Sequence, residues 1–197
     1  MTDAAPPSDL AAYGWDARVG RLAAPLLGPD RQIGRVVRVS RGFDEVRIQG
    51  GEVSCSRAHS AHRGAGLPSP PAAGDWAVVE GAPEAPVIVA LLPRHGTLSR
   101  RDPANRDREQ IVATNVDRIV LTFGLDRPLR PGRLERSLIL AHASGAEPVI
   151  ALTKADLAKH EAQALIVLDE GRRYIEAESS ALLVVRAAEV TSAIAWP

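Results

Sequence analysis

The chain has 197 residues, 45% of them hydrophobic and 24% charged, and its formal net charge is zero. Those values describe one or two globular domains and exclude a highly charged, disordered chain, while the longest apolar runs fall far short of a membrane span. A single cysteine, Cys55, excludes an internal disulfide and favours a reducing compartment; with no secretory leader pattern near the start, a cytoplasmic location and no membrane partner are expected.

Residues 1–30 are rich in Ala and Pro and read as an N-terminal extension, with Tyr13 and Trp15 as anchors and a short helix at 8–13. From Gly34 the texture changes to short β-branched runs bounded by Gly, Asp, Ser and Pro. Strands are predicted over Arg35–Ser40, Asp44–Gln49, Glu52–Ser56, Trp76–Glu80 and Val87–Leu91. With no helical periodicity among them, they predict a small antiparallel barrel. Residues 64–74 carry too many prolines to pair and are read as a loop. Leu92 to Gln110 is polar and rich in arginine, and reads as a connection.

After it the period changes again. Arg118–Phe123 and Pro148–Leu152 are nearly continuous apolar runs, as strands buried on both faces require. Between them Pro131 or Gly132 opens a helix with Leu134, Leu138 and Ala141 at helical spacing, closed at Gly145. Lys159–Gly171 reads as another helix and Leu182–Val185 as a further strand. Strand, helix, strand, helix, strand predicts a parallel α/β arrangement.

The second of those buried strands runs straight into Thr153-Lys154-Ala155-Asp156. Only two lysines occur, Lys154 and Lys159, against twenty-two arginines. The pattern [Asn/Thr]-Lys-x-Asp is the guanine-specificity loop of GTPases, and the carboxyl end of a parallel strand is where open α/β sheets bind ligands. A carboxylate at Asp156 can accept two parallel hydrogen bonds from guanine N1–H and the N2 amino group, whereas adenine leaves it unmatched. Lys154 can lay its methylene stem along the base and keep its ammonium in water. The ordinary alternative is a surface loop whose Lys-x-Asp meets no ligand. No Gly-x-x-x-x-Gly-Lys-[Ser/Thr] loop occurs in these residues, so nothing is seen to grip phosphates.

The neutral total also hides two basic blocks. Residues 31–63 hold seven arginines against three acids, and residues 94–136 hold ten against six. They suit local contact with a polyanion, or a solvated arginine surface. Rings are scarce in the barrel, Phe43 and Trp76 alone, so phosphate contact through Arg35, Arg38, Arg41 and Arg47 suits folded RNA better than stacking of single-stranded bases. Cys55, His59 and His62 form a Cys-x-x-x-His-x-x-His cluster without a nearby fourth ligand, so no metal site is expected. No nucleophile motif is found, and no catalytic residue is assigned.

Several segments together carry a family resemblance. They are Gly74-Asp75-Trp76-Ala77-Val78; Leu92-Pro93-Arg94-His95-Gly96-Thr97-Leu98-Ser99-Arg100; Ala113-Thr114-Asn115-Val116-Asp117; Arg133-Leu134-Glu135-Arg136; and Ala143-Ser144-Gly145-Ala146-Glu147-Pro148 through Thr153-Lys154-Ala155-Asp156-Leu157. In this order they resemble the circularly permuted GTPases that act in maturation of the bacterial small ribosomal subunit. The resemblance implies a β barrel (OB-fold) that binds RNA at 31–93, a linker at 94–112, and an incomplete α/β P-loop-GTPase-like domain with parallel strands at 113–197. It implies a GTPase-family factor of 30S maturation that binds GTP or GDP and 16S rRNA as a monomer. Thr153, Lys154 and Asp156 would hold guanine, with Ser192 of Thr191-Ser192-Ala193 as the candidate for the family's Ser-Ala loop. The family continues with its P-loop, its magnesium-linked switch regions and a zinc-binding domain. Mg²⁺ and Zn²⁺ are thus implied for full-length members, with no ligands for either here, and this polypeptide is expected to be inactive alone. The alternative is a non-catalytic OB-fold RNA-binding module with a vestigial nucleotide domain.

Overall fold

A computed structural model describes residues 8–57, 70–82, 84–101, 109–154 and the backbone of 181–184. The chain divides between Asn115 and Val116 into two compact units.

The first unit is built on five strands: β1 (Arg31–Val39), β2 (Asp44–Ile48), β3 (Gly51–Arg57), β4 (Trp76–Glu80) and β5 (Val87–Leu91). They close in the order β1-β2-β3-β5-β4, every pairing antiparallel except β3 with β5. This is the barrel architecture expected of an OB-fold. The period of two along β4 explains its unbroken apolar sequence. Ala77 and Val79 point into the barrel with Val36, Val46, Cys55 and Ile88. Trp76 and Val78 point the other way, into a second core with Leu10, Val19, Ala23, Ile33 and Leu92.

That second core belongs to the N-terminal segment. The helix expected at 8–13 is α1 (Ser8–Ala11), and a further helix α2 (Ala17–Ala23) follows it, capped by the Asp16 carboxylate, which accepts from the Val19 N–H at 2.7 Å. Trp15 meets Trp76 edge to face, centroids 5.5 Å apart.

The stretch read as a connection folds in part as a two-stranded antiparallel ribbon, β6 (Thr97–Arg101) with β7 (Glu109–Thr114). A buried carboxylate ties it to the barrel. Asp75 is fully buried and accepts from Arg94 Nε at 2.8 Å, Arg94 Nη2 at 2.7 Å, Thr114 Oγ1 at 2.7 Å and the Ala72 N–H at 2.9 Å. The Thr114 N–H donates to the Ala73 carbonyl at 2.8 Å. Asn115, at φ +52°, donates from Nδ2 to the Gly74 carbonyl and accepts at Oδ1 from the His95 N–H. Three of the family-like segments therefore meet in one polar cluster.

The second unit holds a three-stranded parallel sheet in the order β10-β9-β8, formed by β8 (Arg118–Gly124), β9 (Glu147–Thr153) and β10 (Ala181–Val184). Helix α3 (Pro131–Ala143) starts with Pro131 in its first turn and buries Leu134, Leu138 and Ala141, the positions that the spacing predicted. Leu134 and Leu138 pack on Phe123, Ile150 and Leu152. The helix predicted at 159–171 lies outside the described residues. Among the described residues, no helix is long and apolar enough to cross a membrane.

Candidate functional site

Parallel pairing places the carboxyl ends of β8 and β9 side by side. Gly124 is registered with Thr153, and the Leu125 N–H extends the ladder by donating to the Thr153 carbonyl at 2.9 Å. Hydrophobic residues bury both strand ends, with Phe123, Leu125 and Leu152 all in one core. The chain then has to leave the sheet. Lys154 does so in the left-handed region, φ +60°, a conformation uncommon for a residue with a β-carbon and recurrent at functional turns.

The Lys154 ammonium reaches across to Asp126, just beyond β8, and donates to its Oδ2 at 2.8 Å. Both side chains stay wet, 40% exposed for Lys154 and 29% for Asp126. The hydrogen bond from Lys154 is the main reason that the Asp126 carboxyl lies below the usual carboxylate range. Thr153 and Lys154 thus stand together at the carboxyl edge of the sheet. Asp156 and Ser192 lie outside the described residues. Asp126 was not singled out from the sequence. Its only signal there is an acid two residues past an apolar run, which is too common to notice; that run, expected to be buried on both faces, alternates in the structure, with Arg118, Val120 and Thr122 exposed on one face and Phe123 buried on the other.

The four arginines named for RNA separate into two pairs. Arg35 is turned inward: it donates to the carbonyls of Tyr13 at 3.0 Å and Asn115 at 2.9 Å, and its guanidinium lies 4.9 Å from the centre of the Trp76 ring. Arg47 lies over Tyr13 at 5.4 Å and faces Glu52 across β2 and β3 at 3.7 Å, and its Nε is buried without a partner among the described residues. Arg38 and Arg41 are exposed, Arg38 beside Glu45 at 3.5 Å. Arg38 lies near the end of β1 and Arg41 within the turn that leads to β2, where Phe43 is 58% exposed. Trp76, the barrel's other ring, is buried.

Cys55 faces the barrel interior, while His59 and His62 lie outside the described residues. Beside it, the buried Asp44 carboxylate is held by Arg57 through two bonds of 2.5 Å. Burial first, and then the Asp44 charge, push the Cys55 thiol from 9.0 up to about 11. A shift of that size leaves about a hundredfold less thiolate than in an ordinary cysteine. The native protein at pH 8 should therefore react with iodoacetamide far more slowly than the urea-unfolded chain, and equal rates would refute the burial. Because the folded state prefers the neutral thiol, this contribution to stability is complete below pH 9.0 and is lost as the pH rises through about 11.

Comparison with known proteins places these features in a family. Residues 91–191 match the family model described as RsgA GTPase. The small ribosomal subunit biogenesis GTPase RsgA of Xanthomonas campestris pv. campestris is 40% identical over 124 residues, which cover 63% of this chain and 32% of that protein. The chain therefore spans about a third of the length of that curated relative. The crystal structure of YjeQ from Thermotoga maritima is similar with a TM-score of 0.60 and 20% identity, over 80% of this chain and 52% of that one. The crystal structure of YloQ, described as a circularly permuted GTPase, is similar with a TM-score of 0.61 and 19% identity, over 84% and 55%. At those identities the two structures establish likeness of fold.

Proposed function

Because this chain belongs to the RsgA GTPase family, we propose that it serves maturation of the small ribosomal subunit, recognising guanine nucleotide with its second unit and 16S rRNA with its barrel. The relative from Xanthomonas campestris is named a small ribosomal subunit biogenesis GTPase. In this reading Thr153, Lys154 and Asp156 hold the base, Ser192 is the candidate for the supporting Ser-Ala loop, and GTP or GDP is the ligand. No residue of these 197 is assigned to Mg²⁺ or Zn²⁺.

The observation that carries the guanine reading is the exit of β9: Thr153 ends a buried parallel strand and Lys154 turns out of it at φ +60°. Nucleotide sites form at such edges because the strand ends fix the loop, and the loop offers its polar groups to one opening. The carboxylate of Asp156 supplies discrimination, since a base lacking the matching donors would leave it desolvated and unpaired. Guanosine at millimolar concentration should perturb the backbone amide resonances of Thr153 and Lys154 in the 197-residue chain, and adenosine should not. An equal response to both nucleosides, or to neither, would overturn this reading.

For RNA the proposal narrows to the exposed pair. Arg35 is engaged by two carbonyls and a ring, and Arg47 by Tyr13 and Glu52, which leaves Arg38 and Arg41 better placed for phosphate. Binding to small-subunit RNA should weaken steeply with salt, through release of counterions. Charge reversal at both positions, Arg38→Glu with Arg41→Glu, should lower the slope of log affinity against log salt by about two, near one per phosphate contact removed. An unchanged slope would place the RNA contacts elsewhere. The reading as a binding module without catalysis is favoured by one observation, the lack of a Gly-x-x-x-x-Gly-Lys-[Ser/Thr] loop in these residues.

A further inference from the structure

Lys154 needs a reason to stand where it does. A lysine side chain at a strand end has four rotatable bonds and ordinarily samples many rotamers in water, so a stem that is to serve as a platform for a base has to be held. Three features hold it. The left-handed backbone at Lys154 turns the residue out of β9 at the strand end. The ladder continues one residue past β8, through the Leu125 N–H and the Thr153 carbonyl, and so brings the next residue, Asp126, within reach of the Lys154 ammonium. Gly124 makes room for the carboxylate to fold back: a β-carbon there would stand 2.5 Å from Asp126 Oδ1 and 3.5 Å from Lys154 Cδ. Arg127, with Nε 3.9 Å from Asp126 Oδ1, is a second cation on the same carboxylate.

We propose that Asp126 is a positioning residue of the guanine loop: by taking the Lys154 ammonium at 2.8 Å it keeps the lysine stem extended across the strand ends, ready to lie along a base. The inference rests on the guanine reading given above. Asp126 touches no base itself. It acts through Lys154, and its effect is to reduce the ordering that a bound base would otherwise have to impose.

The scarcity of lysine makes this testable residue by residue. Lys154 and Lys159 are the only lysines in the chain, so acetylation by acetic anhydride, followed by peptide mass spectrometry, reads Lys154 with Lys159 as an internal control. An amine has to leave its carboxylate partner before it can be acylated. Asp126→Asn should therefore speed acetylation of Lys154 by about two- to fivefold, the range that a partly exposed ion pair sustains, and leave Lys159 unchanged. Asp126→Glu, which keeps the charge, should restore slow acetylation. Guanosine should protect Lys154 in the unaltered chain, and about two- to fivefold more of it should be needed in Asp126→Asn. Equal Lys154 rates in the unaltered chain and Asp126→Asn would overturn the proposal whatever guanosine does. An unchanged guanosine requirement would overturn Asp126's part in recognition. Faster acetylation in Asp126→Asn with no guanosine protection in either protein would instead overturn the guanine reading, leaving a plain ion pair between strand ends.

Discussion

Gly74→Ala is expected to destabilise the N-terminal unit by about 3 kcal/mol, a size reserved for changes that no side-chain rotation can relieve. Gly74 sits at φ +93°, where a β-carbon is strained, and a β-carbon built there would stand 2.1 Å from the Thr114 carbonyl oxygen. Backbone would have to move, and the backbone in question carries the Asp75 cluster. Asp75→Asn should cost a similar amount, about 3 kcal/mol, for an electrostatic reason. It leaves the Arg94 guanidinium, only 18% exposed, without its carboxylate. The double change Asp75→Asn with Arg94→Met should then recover part of that loss, because the stranded charge goes with it. Urea unfolding followed by tryptophan fluorescence measures all four proteins, with Trp15 and Trp76 both reporting on this unit. A Gly74→Ala midpoint equal to that of the unaltered chain, or a double variant no more stable than Asp75→Asn alone, would refute the tie that Asp75 makes between ribbon and barrel.

The second large effect is catalytic. A polypeptide of these 197 residues should hydrolyse GTP no faster than buffer does, with or without small subunits. Phosphoryl transfer is accelerated almost wholly by positioning and by charge placed on the β- and γ-phosphates, supplied by a phosphate loop, its lysine and a magnesium ion. In the proposed reading these residues address the base, and their sequence offers no such loop. Binding a base at one end of a nucleotide does nothing for the bond that breaks at the other. Phosphate release from the purified chain, measured across a range of GTP concentrations, checks this. Saturable turnover that persists through repurification would show that phosphates are gripped by residues not recognised here.

The parts of this protein legible in its sequence were those set by short-range periodicity. Strand β4 matched its predicted span from Trp76 to Glu80, as did β5 from Val87 to Leu91. Leu134, Leu138 and Ala141 fell on the buried stripe of α3, since a spacing of three and four residues marks one helix face wherever the helix packs. The placement of Thr153 and Lys154 at a strand's carboxyl end was equally readable, because a continuous apolar run ending in a polar turn needs no knowledge of its partners.

Tertiary structure decided whatever depends on residues far apart in the chain. The N-terminal helices bury Leu10, Val19 and Ala23 against the outer face of β4, which no local pattern in an Ala- and Pro-rich segment announces. The ribbon of β6 and β7 escaped because β6 is polar with two arginines and β7 begins with Glu109 and Gln110 at the end of the polar stretch; its pairing and the carboxylate of Asp75, 39 residues from Thr114, identify it instead. Arginine is the plainest case. Arg35 and Arg38 are alike by sequence, three residues apart on one strand. Yet the first is held by Tyr13 and Asn115 inside the unit, while the second stands beside Glu45 in solvent. A guanidinium goes where its five donors find acceptors, and those acceptors come from elements distant in sequence. The same holds for Lys154, whose partner Asp126 becomes its neighbour only when two parallel strands are laid side by side.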